Sequence, residues 1–112
     1  MSSTTRSTLP ARRRGENFEI RHGGQNTPFV ITVGRYPNGD VGEVFIAGSK
    51  SGTAFEAVAR DGAILLSLCL QHGVTLATIK HAITREGDNS PSTIVGAVVD
   101  KLYETENLTD GS

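Results

Sequence analysis

The dipeptide Asn38-Gly39 is the feature that most constrains how this chain folds. A tight turn needs residues that tolerate a positive φ, and Asn-Gly between two strand-like runs is a strong short-range signal for a β-hairpin. The flanking runs, Thr27 to Gly34 and Val41 to Ala47, contain many β-branched residues, which suit a pleated surface. The sequence therefore predicts two antiparallel strands joined by a turn at residues 37–40.

An earlier run, Glu16 to His22, alternates apolar and polar residues and predicts one more strand. Phe18 and Ile20 fall on the same face of it, because successive side chains of a strand point to opposite sides. A short glycine-rich turn at residues 23–26 leads into the next strand. Short connections favour antiparallel neighbours, so the three strands are predicted to form a meander.

After residue 53 the spacing of apolar residues changes to three and four, which predicts three helices. Thr53, Thr75 and Ser90-Pro91 are the predicted starts, since hydroxyl side chains cap helix N-termini and proline suits the first turn. Gly73 is the predicted end of the first helix. The periodicity places these residues on that helix's buried face: Phe55, Val58, Ala59, Gly62, Leu66 and Cys69 or Leu70.

Strands followed by helices indicate an α+β fold, here a three-stranded antiparallel meander followed by three helices packed on one face (βββααα). With 112 residues, the chain has the length of one domain. We expect a flexible basic arm at 1–15, a single domain at 16–105 and a frayed tail at 106–112. The first 15 residues hold four of the 11 basic residues and no acidic residue, so the remainder of the chain is acidic.

The loop that joins the third strand to the first helix is the best candidate for binding chemistry. Free backbone N–H groups at a helix start, together with a cation and hydroxyl groups, favour an anion such as phosphate. The spacing of a Walker A loop is absent, and a plain tight turn built on glycine remains the alternative. The candidate phosphate- or nucleotide-binding residues are Ser49, Lys50, Ser51, Gly52, Thr53 and Arg60.

The arm carries a run of three cations, Arg12, Arg13 and Arg14, which could bind nucleic acid through its phosphates. Aromatic residues that would stack on bases are missing from this segment. The acidic remainder of the chain opposes nucleic-acid binding, and the arm can equally fold back on its own domain.

Catalytic and metal chemistry find little support in the sequence. Cys69 lies among leucines and is expected to be a buried, unreactive thiol. His22, His72 and His81 lie on separate predicted elements without the spacing of a helical metal site, so no metal and no cofactor are predicted. A small independent enzyme is therefore the weakest of the functional hypotheses.

The chain has no apolar leader and no run long enough to span a membrane, so a cytoplasmic location is expected. Residues 63–70 are apolar nearly all round the predicted helix and should form its most buried part. One three-stranded sheet can hardly cover them all, which favours a homo-oligomer.

Several segments together resemble the TSCPD domain, which occurs near the C-terminus of adenosylcobalamin-dependent (class II) ribonucleotide reductases and in stand-alone small proteins. The resemblance covers about residues 9–105, and Gly-Glu-Val-Phe-Ile followed by Leu-Gln-His-Gly-Val is its most specific combination. The matching segments are Leu9 to Arg13, Gly42 to Ile46, Lys50 to Thr53, Ile64 to Val74 and Ser90 to Ile94.

The chain departs from that family in two respects. The Ser-Cys-Pro-Asp type motif is replaced by Ser90-Pro91-Ser92, which has neither the Cys nor the Asp, and the cysteine-rich metal-binding tail of the reductases is missing. The reductase reaction needs a radical-forming cysteine, a redox cysteine pair and a cobalamin-binding barrel, which a chain with one cysteine cannot supply. The resemblance thus implies an accessory module of deoxynucleotide synthesis that binds a reductase large subunit or a nucleotide. The alternative is a nucleic-acid-binding or regulatory protein that uses the arginine arm.

Overall fold

The computed structural model describes residues 14–22, 28–48 and 54–110. Three strands precede three helices, so the predicted α+β fold is confirmed. Their bounds are β1 Arg14–Ile20, β2 Phe29–Arg35, β3 Val41–Ala47, α1 Ala54–Gln71, α2 Leu76–Ala82 and α3 Ile94–Asp110.

The three strands form one antiparallel sheet in the order β1-β2-β3. β1 begins two residues before the predicted start, because Arg14 and Gly15 pair with Arg35 and Gly34 at the end of β2. The length of β1 thus follows its partner strand and not its own alternation of apolar residues.

The core lies between one face of the sheet and the helices. Ile31 and Val33 of β2 pair with Ile46 and Val44 of β3, and all four side chains are buried on the helix side. The opposite face is open, with Phe45 half exposed. The helix side of the core is completed by Ala59, Ala63, Leu66, Leu76, Ile94, Val98, Val99 and Leu102.

The predicted hairpin turn joins β2 to β3. Gly39 has a φ of 97°, a conformation that suits glycine, and the Tyr36 N–H donates to the Asp40 carbonyl at 2.8 Å. The buried guanidinium of Arg35 donates from Nη1 to the Gly39 carbonyl at 2.8 Å and from Nη2 to Glu16 Oε1 at 2.7 Å. These contacts fix the turn relative to both neighbouring strands.

The start of α3 differs from the prediction. The helix begins at Ile94, and its cap is Thr93, whose Oγ1 accepts the Gly96 N–H at 3.0 Å. The predicted Ser90-Pro91 start is wrong because Pro91 instead pairs with Arg85 in a short antiparallel bridge. The predicted starting cap of α2 is confirmed, since the Thr75 side chain accepts the Thr78 N–H.

Candidate functional site

α1 lies along the outer edge of the sheet, formed by β3, and is fixed there by two buried polar side chains. Ser67 Oγ accepts the Val44 N–H at 2.9 Å and lies 3.1 Å from the Val44 carbonyl oxygen. Gln71 Nε2 donates to the Gly42 carbonyl at 2.8 Å. An edge strand leaves such backbone groups without a partner strand, and here α1 supplies the hydrogen bonds that a fourth strand would make.

These contacts rotate α1 away from its predicted orientation. Its buried residues are Glu56, Ala59, Ala63, Leu66, Ser67 and Gln71. The predicted burial of Phe55, Val58 and Cys69 is therefore wrong, because polar residues with partners on the strand occupy the interface. Ala59 and Leu66 are predicted face residues that lie in the core, and Leu70, predicted as the alternative to Cys69, is half-buried against it.

The opposite side of α1 carries an apolar surface, in which Asp61 is the exposed charged residue. We call Val58, Ile64, Leu65 and Leu68 the α1 outer face. Val58 is 69% exposed and Leu65 is 64% exposed. Apolar side chains at this helical spacing form one stripe, and such stripes mark interaction surfaces more often than single exposed residues do. The expectation that residues 63–70 are the most buried part of the helix is wrong for the isolated chain.

Cys69 lies beside the α1 outer face and is exposed. The predicted buried thiol is thus wrong, since the rotation of α1 turns this side chain to solvent. Cys69 is a free thiol, accessible to reagents in the folded chain.

The predicted phosphate loop, Ser49 to Thr53, lies outside the described residues, so the loop stays a prediction. Of its companions the structure describes Arg60, whose Nη2 lies 2.7 Å from Glu56 Oε2 in the first turn of α1. The Glu56 side chain is buried while that of Arg60 is half exposed. Glu56 places a negative charge at the helix start, where an anion would bind, and it already forms an ion pair with Arg60.

The predicted nucleic-acid arm also falls largely outside the described residues. Arg12 and Arg13 are not described, and Arg14 is described only as the first backbone position of β1. Its strand partner is Arg35, at the hairpin end of the sheet. The arm therefore joins the domain next to the β2–β3 turn.

The three histidines lie on different parts of the fold. His22 follows β1, His72 follows α1 and His81 lies in α2. No group of three or more His, Cys, Asp or Glu side chains converges as a metal site within residues 14–22, 28–48 and 54–110.

Arg85 and Asp100 form an ion pair that joins the segment after α2 to α3. Arg85 Nη1 and Nη2 donate to the two carboxylate oxygens of Asp100 at 2.9 and 2.6 Å, and Lys80 Nζ lies 3.7 Å from the same carboxylate. Arg85 also donates to the carbonyl oxygens of Asn89 and Lys80. Hydrogen bonds from Arg85, followed by the nearby charges, lower the pKa of Asp100 despite its partial burial.

This ion pair predicts an acid-sensitive part of the stability. A carboxylate whose pKa is lowered on folding stabilises the chain above its unfolded pKa of about 3.9, and that contribution is lost as the pH falls through the folded value. Asp100→Asn should therefore unfold at lower urea than the parent at pH 7, with the difference shrinking below about pH 4.

The matched comparison is Asp88→Asn. Ser90 lowers the pKa of Asp88 in the same direction, but Asp88 lies on an exposed turn and joins no two helices. Urea titrations from pH 2 to 7 check the prediction. A constant difference between Asp100→Asn and the parent across this range contradicts it.

A cleft of about 630 Å³ opens at the hairpin end of the sheet. Its walls come from the β2–β3 turn, from the turn between α1 and α2, and from Glu106 of α3. Gly73, whose φ is 90°, ends α1 at this point as predicted and forms part of one wall. The cleft lies at the opposite end of α1 from the predicted phosphate loop, so the chain presents two separate candidate regions.

Comparison with known families matches residues 3–103 to the TSCPD domain. The chain belongs to the TSCPD domain family. The match covers all three strands, α1, α2 and most of α3, and it confirms the family resemblance drawn from the sequence.

Two relatives of this TSCPD chain are vitamin B12-dependent ribonucleotide reductases. The protein from Agrobacterium fabrum is 38% identical over 82 residues, which are 73% of this chain and 6% of the relative. The protein from Bradyrhizobium diazoefficiens is 35% identical over 79 residues, 70% of this chain and 6% of the relative. The chain thus spans about 6% of the length of either reductase.

No solved structure shows a significant match to the TSCPD chain. Within the described residues, no helix has both the length and the apolar character needed to cross a membrane.

Proposed function

We propose that this TSCPD chain is a non-catalytic accessory module that binds a ribonucleotide reductase polypeptide through the α1 outer face. The observation that carries the proposal is the similarity to a segment within two vitamin B12-dependent ribonucleotide reductases, at 38% and 35% identity. In those proteins the related segment is part of the reductase chain itself. We therefore expect domains of this family to have a surface that contacts the rest of a reductase.

The α1 outer face is the surface of the described chain best suited to that contact. Interface cores are apolar and poor in charge, and rigid surfaces lose less entropy on binding. Ser67 and Gln71 hold α1 in register with β3, so the exposed side chains on its other side are already in place. Leu65 lies near the middle of the stripe and is the expected anchor residue.

The accessory role also follows from the cysteine content. These 112 residues contain one cysteine, Cys69, which cannot form a redox pair within one copy of the chain. In this proposal the reductase supplies the chemistry, and the TSCPD chain supplies a binding surface.

Nucleotide or phosphate binding by Ser49 to Thr53 is the second part of the proposal. The loop connects β3 to the start of α1. Glu56 lies in the first turn of α1, and Arg60 lies one turn beyond Glu56 and pairs with it. Because Glu56 neutralises Arg60 and opposes an anion, Glu56→Gln should strengthen binding of a nucleoside triphosphate.

Two experiments test the two parts of this proposal, a pull-down for the reductase and calorimetry for the nucleotide. The tagged chain is incubated with the native host's lysate, with and without nucleoside triphosphates, and bound proteins are identified by mass spectrometry. We expect the reductase large subunit to be retained, and calorimetry to show tighter nucleotide binding by Glu56→Gln than by the parent. Loss of the reductase from the retained proteins contradicts the docking role, and an absence of nucleotide heat in both forms contradicts the phosphate loop.

Self-association through the same surface is a second candidate, because the α1 outer face is apolar enough to pair with a second copy. Light scattering of the purified chain distinguishes the two. A dimer that dissociates when Leu65 becomes glutamate supports self-association, and a monomer leaves the face available to the reductase.

A further inference from the structure

The lining of the cleft at the hairpin end of the sheet suits a peptide segment that carries both apolar and cationic side chains. Its inner surface is apolar, since Val41 and Leu76 are buried there and Tyr36 forms one side. Asp40 and Glu106 contribute carboxylates, and no Lys or Arg belongs to the part of the lining that the structure describes. A volume of about 630 Å³ is within the range of sites that bind small ligands or short peptide segments.

The sheet register places Arg14, where the N-terminal arm joins the sheet, near this cleft. Arg14, the first residue of β1, pairs with Arg35, and Arg35 pairs with Val41 of the cleft. Neighbouring strands are about 4.8 Å apart, so the Arg14 backbone lies about 10 Å from Val41. Tyr36, which follows Arg35 directly, is closer still. The attachment point of the arm is therefore close to the cleft.

The length of that segment is sufficient to cross the cleft. Five residues, 9–13, span about 17 Å when extended. Leu9 and Pro10 supply an apolar end, whereas Arg12 and Arg13 supply two cations close to β1. Residues 1–13 contain no Asp or Glu, so nothing in the arm is repelled by the two carboxylates.

We propose that residues 9–13 of the same chain occupy this cleft, with Leu9 and Pro10 on its apolar surface and Arg12 and Arg13 at Asp40 and Glu106. Covalent attachment favours this occupant over a separate peptide, because the tether gives the segment a high effective concentration. The docked arm withholds its arginines from nucleic acid. This inference is independent of the α1 outer face, which shares no residue with the cleft lining.

Limited proteolysis of the full chain tests the proposal. Trypsin cleaves after arginine, so the arm offers Arg6 as an internal reference outside the docked segment and Arg12 and Arg13 within it. We expect cleavage after Arg12 and Arg13 to be slower than after Arg6. The double variant Asp40→Lys, Glu106→Lys should accelerate cleavage after Arg12 and Arg13 about tenfold, since proteolysis follows the population of the open form.

The control is Glu19→Lys with Glu104→Lys, which makes the same charge change at exposed positions outside the cleft lining. If the cleft variant fails to fold, Arg12→Ser with Arg13→Ser gives a second measurement, in which hydrogen exchange at residues 36–40 and 73–76 should become faster. Equal cleavage after all three arginines in the parent overturns the proposal, as does unchanged exchange in the serine variant. Nucleic-acid binding that is as strong in the parent as in the cleft variant also contradicts a docked arm.

Discussion

Replacement of Ser67 by alanine is expected to lower the free energy of unfolding by about 2 kcal/mol, because a buried backbone group left without a partner costs about 1–3 kcal/mol. The hydroxyl accepts the Val44 N–H at 2.9 Å on the covered edge of β3. Water cannot replace it there, since Ser67 is buried and the helix covers the strand edge. Urea unfolding of the parent and Ser67→Ala measures the loss directly.

Thr105→Ala is the matched control for this substitution. Ser67 Oγ also donates to the carbonyl four residues earlier, Ala63 O, at 2.8 Å, and Thr105 Oγ1 donates in the same way to Lys101 O at 2.9 Å. Thr105 is exposed, so its loss should change stability by no more than about 0.5 kcal/mol. Equal effects of the two substitutions would show that Ser67 contributes no more than a helix-internal hydrogen bond. The contact of Ser67 with the edge of β3 would then not stabilise the fold.

The second large effect is expected at Gly62, where α1 passes close to α3. A Cβ atom at this position would lie 2.5 Å from Val95 Cγ2. Overpacking costs about 1–3 kcal/mol, whereas alanine gains up to about 1 kcal/mol over glycine within a helix. A contact of 2.5 Å is far shorter than a van der Waals contact, so the overpacking cost should lie at the upper end of this range, about 2–3 kcal/mol. Gly62→Ala should therefore destabilise the chain by a net of about 1–2 kcal/mol.

A second substitution, Val95→Ala, tests whether the contact with Val95 causes the loss of stability in Gly62→Ala. Val95→Ala removes the clashing methyl groups, so it should cost less in the Gly62→Ala background than in the parent, with a coupling of about 1 kcal/mol or more. Asp61→Ala, at the exposed neighbouring position, should be nearly neutral. Additive effects of Gly62→Ala and Val95→Ala would contradict the close helix contact.

The strands and their inward faces could be predicted from sequence because alternation and the Asn-Gly turn are local signals. Phe18 and Ile20 pack towards the core, as predicted. Alternation along Val41 to Ala47 likewise puts Val44 and Ile46 on one face and Phe45 on the other, and only the first two are buried. The apolar side of α3 is equally clear, since its apolar residues recur at spacings of three and four while the positions between them are small or charged. These apolar residues are Ile94, Val95, Val98, Val99 and Leu102.

The orientation of α1 could not be predicted in this way. Its second half is apolar on nearly every side, so periodicity alone cannot identify the side that faces the sheet. The choice is made by Ser67 and Gln71, which a hydrophobic pattern counts as surface residues although they bond to the edge of β3. The available signal was a serine and a glutamine at i and i+4 within a leucine-rich helix. Their role is evident only once the edge of β3 is known to supply their hydrogen-bond partners.

The start of α3 shows a related limit. Ser90-Pro91 has the composition of a helix start, but tertiary contacts prevail: Arg85 pairs with Pro91 across the loop and bonds to Asp100 in α3. The candidate binding regions were predictable only in part. The loop and the arm are evident from composition, whereas the cleft depends on three elements that meet only in the fold.

The affinity of purified chain variants for the host's reductase measures whether the α1 outer face binds a ribonucleotide reductase polypeptide. Leu65→Glu introduces a charge on that face, and Phe45→Glu introduces one on the open face of the sheet, where the side chain is 51% exposed. Both should fold, because neither residue is in the core. We expect Leu65→Glu to weaken binding about 30-fold or more while Phe45→Glu binds like the parent. Equal affinities of the two variants would exclude the α1 outer face as the surface that binds the reductase.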